Sequence, residues 1–162
     1  KKIRYCNIHE KSELKSIGQC SFAMSFISNI TIPDHISTIE YASFSFCDNI
    51  KYINISENSE LQTICESAFS YSSIECFYIP KHVNSIDESA FYHCNELKII
   101  EIAENSELQS IEQIFLPYKS IEIIVIPVKV MWIPHDNSVK IESNLEEMHR
   151  YISRNYSRRR QF

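Results

Sequence analysis

The chain has 162 residues, 44% of them apolar and 23% charged, with a formal charge of −5, so it can bury a core and is too apolar for a disordered polypeptide. Its longest apolar stretch, Ile121 to Pro134, is interrupted by Glu122, Pro127 and Lys129 and falls short of the roughly 20 residues a spanning helix needs. A single glycine, Gly18, excludes phosphate-cradling loops, which require several glycines at fixed spacing, and leaves the turns to Asn, Asp, Ser and Pro.

The predicted elements recur along the chain. A first strand with apolar positions Ile3, Cys6 and Ile8 is followed by the segment Glu10 to Ile17, which reads EKSELKSI. That segment returns as ENSELQTI from Glu57 and as ENSELQSI from Glu104, the last two 47 residues apart. Within each long repeat lie two shorter ones: the apolar residues Leu14, Ile36, Leu61, Val83, Leu108 and Val130 are separated by 22, 25, 22, 25 and 22 residues. A period in the twenties marks stacked solenoid coils. Further strands follow at Ile27, Ile30 and Ile32; Ile50, Ile53 and Ile55; Ile74, Phe77 and Ile79; Leu97, Ile100 and Ile102; and Ile121, Ile124 and Ile126. The last two apolar positions of each alternate with a non-core residue, the period of a strand with one buried face, and β-branched isoleucine suits it. Stacking at about 4.8 Å, the strands are expected to form one parallel sheet.

Between strands, an apolar pair such as Val83 and Ile86 precedes Ala90-Phe91 and then Cys94; Ile36, Ile39, Phe44 and Cys47 repeat the succession, as do Leu61, Ile64, Phe69 and Ser72. Asp87 is expected to cap a very short helix there, and the phenylalanine to plug the coil interior opposite the sheet. The pattern decays at Leu116, Pro117 and Lys119, and no copy is recognisable after Ile133. Residues 143–157 predict an amphipathic helix, with Ser143 and Glu146 in capping-box spacing and Leu145, Met148 and Ile152 on one face, folded over the last coil. The chain opens on Lys1 in mid-unit, with no signal-like apolar core in its first 30 residues, so upstream coils or a cap are expected to be missing.

These units resemble the BspA-type leucine-rich repeat, whose coils read Ile-Pro, Val-x-x-Ile, Ala-Phe-x-x-Cys, Leu. Ile79-Pro80, Val83, Ile86, Ala90-Phe91, Cys94 and Leu97 carry that pattern, and Ile32-Pro33, Ile36, Ile39, Phe44, Cys47 and Ile50 nearly repeat it. The resemblance implies a right-handed leucine-rich-repeat solenoid with the parallel sheet on its concave face and short strands, turns and short helices elsewhere. Two parts are expected: about six coils over residues 1–133, truncated at the N-terminus, and a cap helix with a basic tail over residues 134–162.

The register argues against chemistry at the cysteines. No two of Cys6, Cys20, Cys47, Cys65, Cys76 and Cys94 are one coil apart; Cys47 and Cys94 share a column two coils apart, about 10 Å, too far for a disulfide. They read as buried thiols. No C-x-x-C pair offers a zinc site, and no cofactor is expected. His35 and His82 recur in the turn after Ile-Pro, where a solvated turn role outweighs a ligand role. His93 adjoins Cys94, but neighbours in sequence point apart, so no nucleophile–base pair forms and no enzyme is expected. Residues 150–162 hold five arginines and no acid, leaving −10 on residues 1–149, a poor field for nucleic acid. Asn29, Asn54 and Asn155 open glycosylation triplets, which count only in a secreted protein.

The non-core strand positions form two columns: Tyr5, Asn29, Tyr52, Cys76, Ile99 and Ile123, then Asn7, Thr31, Asn54, Tyr78, Glu101 and Val125. Tyrosine and asparagine offer contact area with few torsions to freeze, the chemistry of a recognition surface. The expected function is protein binding through Tyr5, Asn7, Thr31, Tyr52, Asn54, Tyr78 and Glu101, with the apolar end at Ile99, Ile123 and Val125 covered by the tail or a partner. By resemblance the protein is a surface antigen or adhesin whose partner is a host matrix or cell-surface protein. A cytosolic scaffold and a structural repeat without ligand are the alternatives.

Overall fold

A computed structural model describes residues 4–87, 89–112, 121–127, 131–133 and 140–142. Its strands are β1 (Ser16–Ile17), β2 (Asn29–Ile32), β3 (Thr38–Ile39), β4 (Tyr52–Ile55), β5 (Thr63–Ile64), β6 (Cys76–Ile79), β7 (Ser85–Ile86), β8 (Ile99–Ile102), β9 (Ser110–Glu112), β10 (Ile123–Val125), β11 (Met131–Ile133) and β12 (Lys140–Glu142). All pairing is parallel and joins each strand to its counterpart in a neighbouring coil.

Five of the six expected strands form where the alternation places them; the first, expected at Ile3, Cys6 and Ile8, is among the described residues only a single bridge of Tyr5 to Asn29. Ile30 pairs with Ile53, and Phe77 with Ile100, which pairs in turn with Ile124. All five side chains are buried in one core. Each buried isoleucine contributes about 1.5–3 kcal/mol relative to exposure, which drives the stacking of coils that cannot bury this row alone.

The expected single sheet is corrected in two ways. First, each coil has a second extended stretch, so a short-strand ladder, β1-β3-β5-β7, runs along another side, with β9 and β11 pairing further on. Those strands are two residues long in the first four coils, too short to display a period of two. The bend between the stretches is closed by Ile36 N–H donating to Pro33 O and Val83 N–H to Pro80 O. Second, the long strands divide into β2-β4 and β6-β8-β10-β12. Across the division the stack is carried by Glu75 N–H donating to Lys51 O at 3.0 Å, just outside both strands. The ladder also reaches Glu142 through β12, which pairs with β10 beyond the last copy recognisable in sequence.

The expected short helices are turns: the described residues contain no helix. The N–H groups of Phe22, Phe44 and Phe69 donate to Ser43, Ala68 and Ala90 O in the next coil, whereas those of Ala23, Ser45 and Ser70 close turns to the residue three back. Half of the donors are thus spent between coils, which a helix would turn inward along its own axis. Asp87 does accept backbone N–H, from Ser89 at 3.0 Å, but as part of such a turn.

The turn residues depart from expectation in part: Asp34, Asn49, Asn58 and Asn95 do lie in turns, but the left-handed positions beside the phenylalanine column are mostly other residues. Left-handed φ values of 50–57° occur at Cys20, Met24, Ala42, Phe46, Ser67, Tyr71 and His93, whereas Gly18 has no positive φ. This conformation costs an L-residue about 1–2 kcal/mol. Intercoil hydrogen bonds and a ring stack hold it: Phe22, Phe44, Phe69 and Phe91 lie with successive centroids 5.3, 5.4 and 5.2 Å apart. Phe69 and Phe91 each meet Phe77 of the strand row at 5.0 Å, so the expected aromatic plug spans the interior. Residues 143–157, the predicted helix, lie outside the described residues.

Candidate interaction surface

The strand ladder brings the two predicted columns together in register. Tyr5 bridges to Asn29, which pairs with Tyr52; Thr31 pairs with Asn54; Tyr78 pairs with Glu101. Because β-strand side chains alternate between faces, burial of Ile30, Ile53 and Phe77 turns these residues outward. Tyr5 is 73% exposed, and Asn7, Asn29, Thr31 and Asn54 are exposed as well. Asn54 Nδ2 donates to Thr31 Oγ1 at 3.4 Å, linking neighbouring coils on this face.

Two tyrosines are less available than their sequence positions imply. Tyr52 is half-buried, and its hydroxyl donates to Glu75 Oε2 at 3.0 Å. Glu75 Oε1 is 3.3 Å from Lys51 Nζ. Tyr78 is also half-buried; burial, then the nearby charges of Glu101 and Glu57, raises its phenol above the usual range and keeps it a neutral hydrogen-bonding group. Toward the C-terminal end, Ile99 and Val125 are buried, as expected of an apolar patch in need of cover, and the exposed face ends before them. The side chain of Ile123 lies outside the described set.

A feature absent from the predicted columns borders them. Lys51–Glu75 and Lys98–Glu122, at 3.3 and 3.1 Å, form a charged edge beside the strands. Its sequence signal is the recurrence of Lys51 at Lys98 and of Glu75 at Glu122, both 47 residues on. The charges are legible in the chain; their pairing needs coil register.

Cys47 and Cys94 fill one structural column, and the six cysteines are unbridged thiols. Cys47 Sγ donates to Phe22 O at 3.0 Å and approaches Ser25 Oγ at 3.5 Å; Cys94 Sγ donates to Phe69 O at 2.9 Å and approaches Ser72 Oγ at 3.5 Å. Burial pushes the Cys94 thiol up to about 11 and raises Cys47 as well, the opposite of an activated nucleophile. The His93 ring stacks on Tyr71 at 4.8 Å, away from this column's bonding. His35 Nε2 meets Ser12 Oγ at 3.1 Å and His82 Nδ1 meets Glu107 Oε1 at 2.6 Å, so both recurrent histidines tie a turn to an adjacent coil. Among the described residues no group of three or more His, Cys, Asp or Glu side chains is placed to hold a metal, and no helix is long and apolar enough to cross a membrane.

The stacked register is matched by comparison with known proteins: the model of the BspA type leucine rich repeat region, in 6 copies, covers residues 15–146. The chain belongs to the BspA-type leucine-rich repeat family. Among solved structures it is similar to the pneumococcal vaccine antigen PcpA, with a TM-score of 0.69 and 16% identity over 95% of this chain and 39% of that one. It is also similar to a leucine-rich repeat protein from Bacteroides ovatus, with a TM-score of 0.58 and 21% identity over 84% of this chain and 41% of that one. The BspA-type chain thus spans about two fifths of either structure's length, and at these identities the likeness concerns the fold. No curated protein matches it significantly.

Proposed function

We propose that this BspA-type repeat is a non-enzymatic protein-binding module of a cell-surface or secreted protein, and that the outward positions of its long-strand ladder make the contact. The carrying observation is the registered array of Tyr5, Asn29, Thr31, Tyr52 and Asn54 over a fully buried apolar row. Asn7, Tyr78 and Glu101 extend it. Aromatic groups with hydrogen-bonding ends, held on a rigid stack, lose little conformational entropy when a partner docks. In this reading the array lies on the concave side of the solenoid, and the partner is a host matrix or cell-surface protein. The similarity to a vaccine antigen supports placement outside the cell.

The test is binding of the purified chain to immobilised matrix proteins and to the matrix laid down by cultured cells. Wild type binds, and the double variant Tyr52→Ser/Tyr78→Ser loses at least about tenfold in affinity, the scale of one interface hot spot. Equal binding by a folded double variant, or no binding by wild type, overturns the assignment.

A further inference from the structure

The turn side of the stack carries recognition chemistry of its own. Two residues after the half-buried Phe22 and the buried Phe44, Phe69 and Phe91 come Met24, Phe46, Tyr71 and His93, all left-handed and all exposed. They are in register: Met24, Phe46 and Tyr71 N–H donate to Ser45, Ser70 and Tyr92 O in the next coil. Phe46 stacks on Tyr71 at 4.6 Å and Tyr71 on His93 at 4.8 Å, while Tyr92 stands edge-on to His93 at 4.3 Å. Met24 is 71% exposed, Tyr92 55%, Phe46 45% and Tyr71 41%. These side chains lie outside the core, and Phe46, Tyr71 and His93 shelter partly against one another. An exposed apolar stripe of this kind marks an interaction site.

Its electrostatic setting is one-sided. The turn segments 18–26, 40–49, 65–73 and 87–96 contain no lysine or arginine, yet include Glu40, Asp48, Glu66, Asp87, Glu88 and Glu96. Asp48, Glu66 and Glu96 are exposed, and no ion pair engages them among the described residues. The strand side differs, since Lys51 and Lys98 offset its glutamates. Tyr71 is stacked between Phe46 and His93, so at the centre of the stripe it presents its ring edge and hydroxyl rather than an open face that would take a cation directly.

We infer that the turn side docks a cationic polypeptide segment carrying apolar side chains, which seat on the stripe while its Lys or Arg residues face Asp48, Glu66 and Glu96. Charge complementarity selects this occupant over nucleic acid or an anionic membrane, both of which an uncompensated acidic surface repels. The site is independent of the strand-face array.

The test uses a fluorescent peptide of alternating lysine and leucine, a glutamate–leucine counterpart of equal length, and phosphatidylserine vesicles. The lysine–leucine peptide binds, weakens at least about tenfold when salt rises from about 50 to about 500 mM, and loses at least about tenfold on Phe46→Ser/Tyr71→Ser. Tyr52→Ser/Tyr78→Ser leaves this binding unchanged, which separates it from the strand face. Should Phe46→Ser/Tyr71→Ser unfold, Asp48→Lys/Glu66→Lys reverses the local charge without touching the stack and must abolish binding. Equal affinity for both peptides, preferential binding to the vesicles, or retention of the lysine–leucine peptide by the charge-reversed variant overturns the inference.

Discussion

The strand side and the turn side of each coil repeat with the same period and solve the stacking problem differently. On the strand side, relaxed extended backbone pairs with the next coil, and side chains alternate between a buried row and an outward one that is exposed at Asn29 and Thr31, half-buried at Tyr52 and Tyr78 and buried at Ile99. On the turn side, seven non-glycine residues among those described take left-handed φ so that alternate N–H groups reach the neighbouring coil. One side is held by its conformational preference; the other is held against it, by aromatic stacking and intercoil hydrogen bonds. Each side should therefore answer differently to the same kind of substitution.

The largest effect is expected inside, where the two sides meet. Phe69 contacts Phe44, Phe91 and Phe77, and Phe69→Ala should lower stability by ~3–5 kcal/mol through lost burial and the cavity it leaves. Denaturant unfolding measures it; a loss below ~1 kcal/mol would mean that the turns do not depend on the ring column.

Alkali should act next, and through the turn side. The Cys94 thiol titrates near 9.0 when unfolded and about 11 when folded, because burial penalises the thiolate. Its folded pKa is raised, so the contribution is intact below pH 9.0 and is lost as pH climbs toward 11. The loss is on the order of 2–3 kcal/mol. Unfolding midpoints of wild type and Cys94→Ala, followed across that range, should converge; parallel curves would remove the thiol from the account.

Glycine should act with opposite sign on the two sides. At Ser67, with φ of 56°, Ser67→Gly relieves the left-handed penalty and raises stability by up to ~1 kcal/mol. At the exposed position 31 of β2, Thr31→Gly lowers it by ~0.5–1 kcal/mol, since glycine gives up strand preference and gains nothing. Thermal melts of the two variants decide the matter, and shifts of the same sign would erase the distinction between the sides.

The smallest expected effect belongs to the charged edge. Lys98 and Glu122 are 43% and 47% exposed, so a double-mutant cycle should return a coupling below ~1 kcal/mol, shrinking with salt. A larger value would make the edge a determinant of coil register rather than a border.

Much of the candidate face is legible in the sequence. The alternation of Ile30 and Ile32 around Thr31 assigns inside and outside, and the spacing of successive strands assigns Tyr52 to Asn29 and Asn54 to Thr31. What escaped was short or borrowed from a neighbouring coil. Two-residue β3 and β5 carry no period to detect, and the Tyr52 hydroxyl meets a carboxylate 23 residues away, Glu75. The turns misled for a related reason. Glycine scarcity pointed to Asn, Asp, Ser and Pro, yet Phe46 and Tyr71 hold left-handed backbone because ring contacts across coils compensate for local strain.

The order of residues by itself determined the repeat, its alternating 22- and 25-residue coils and the split between buried and outward strand positions, since these follow from apolar periodicity along one chain. Only the tertiary structure decided the second ladder, the left-handed turns and the pairing of thiols, histidines and charges between coils. Each of those depends on which atom of a neighbouring coil lies within about 3–5 Å, and that distance is set by stacking rather than by sequence proximity.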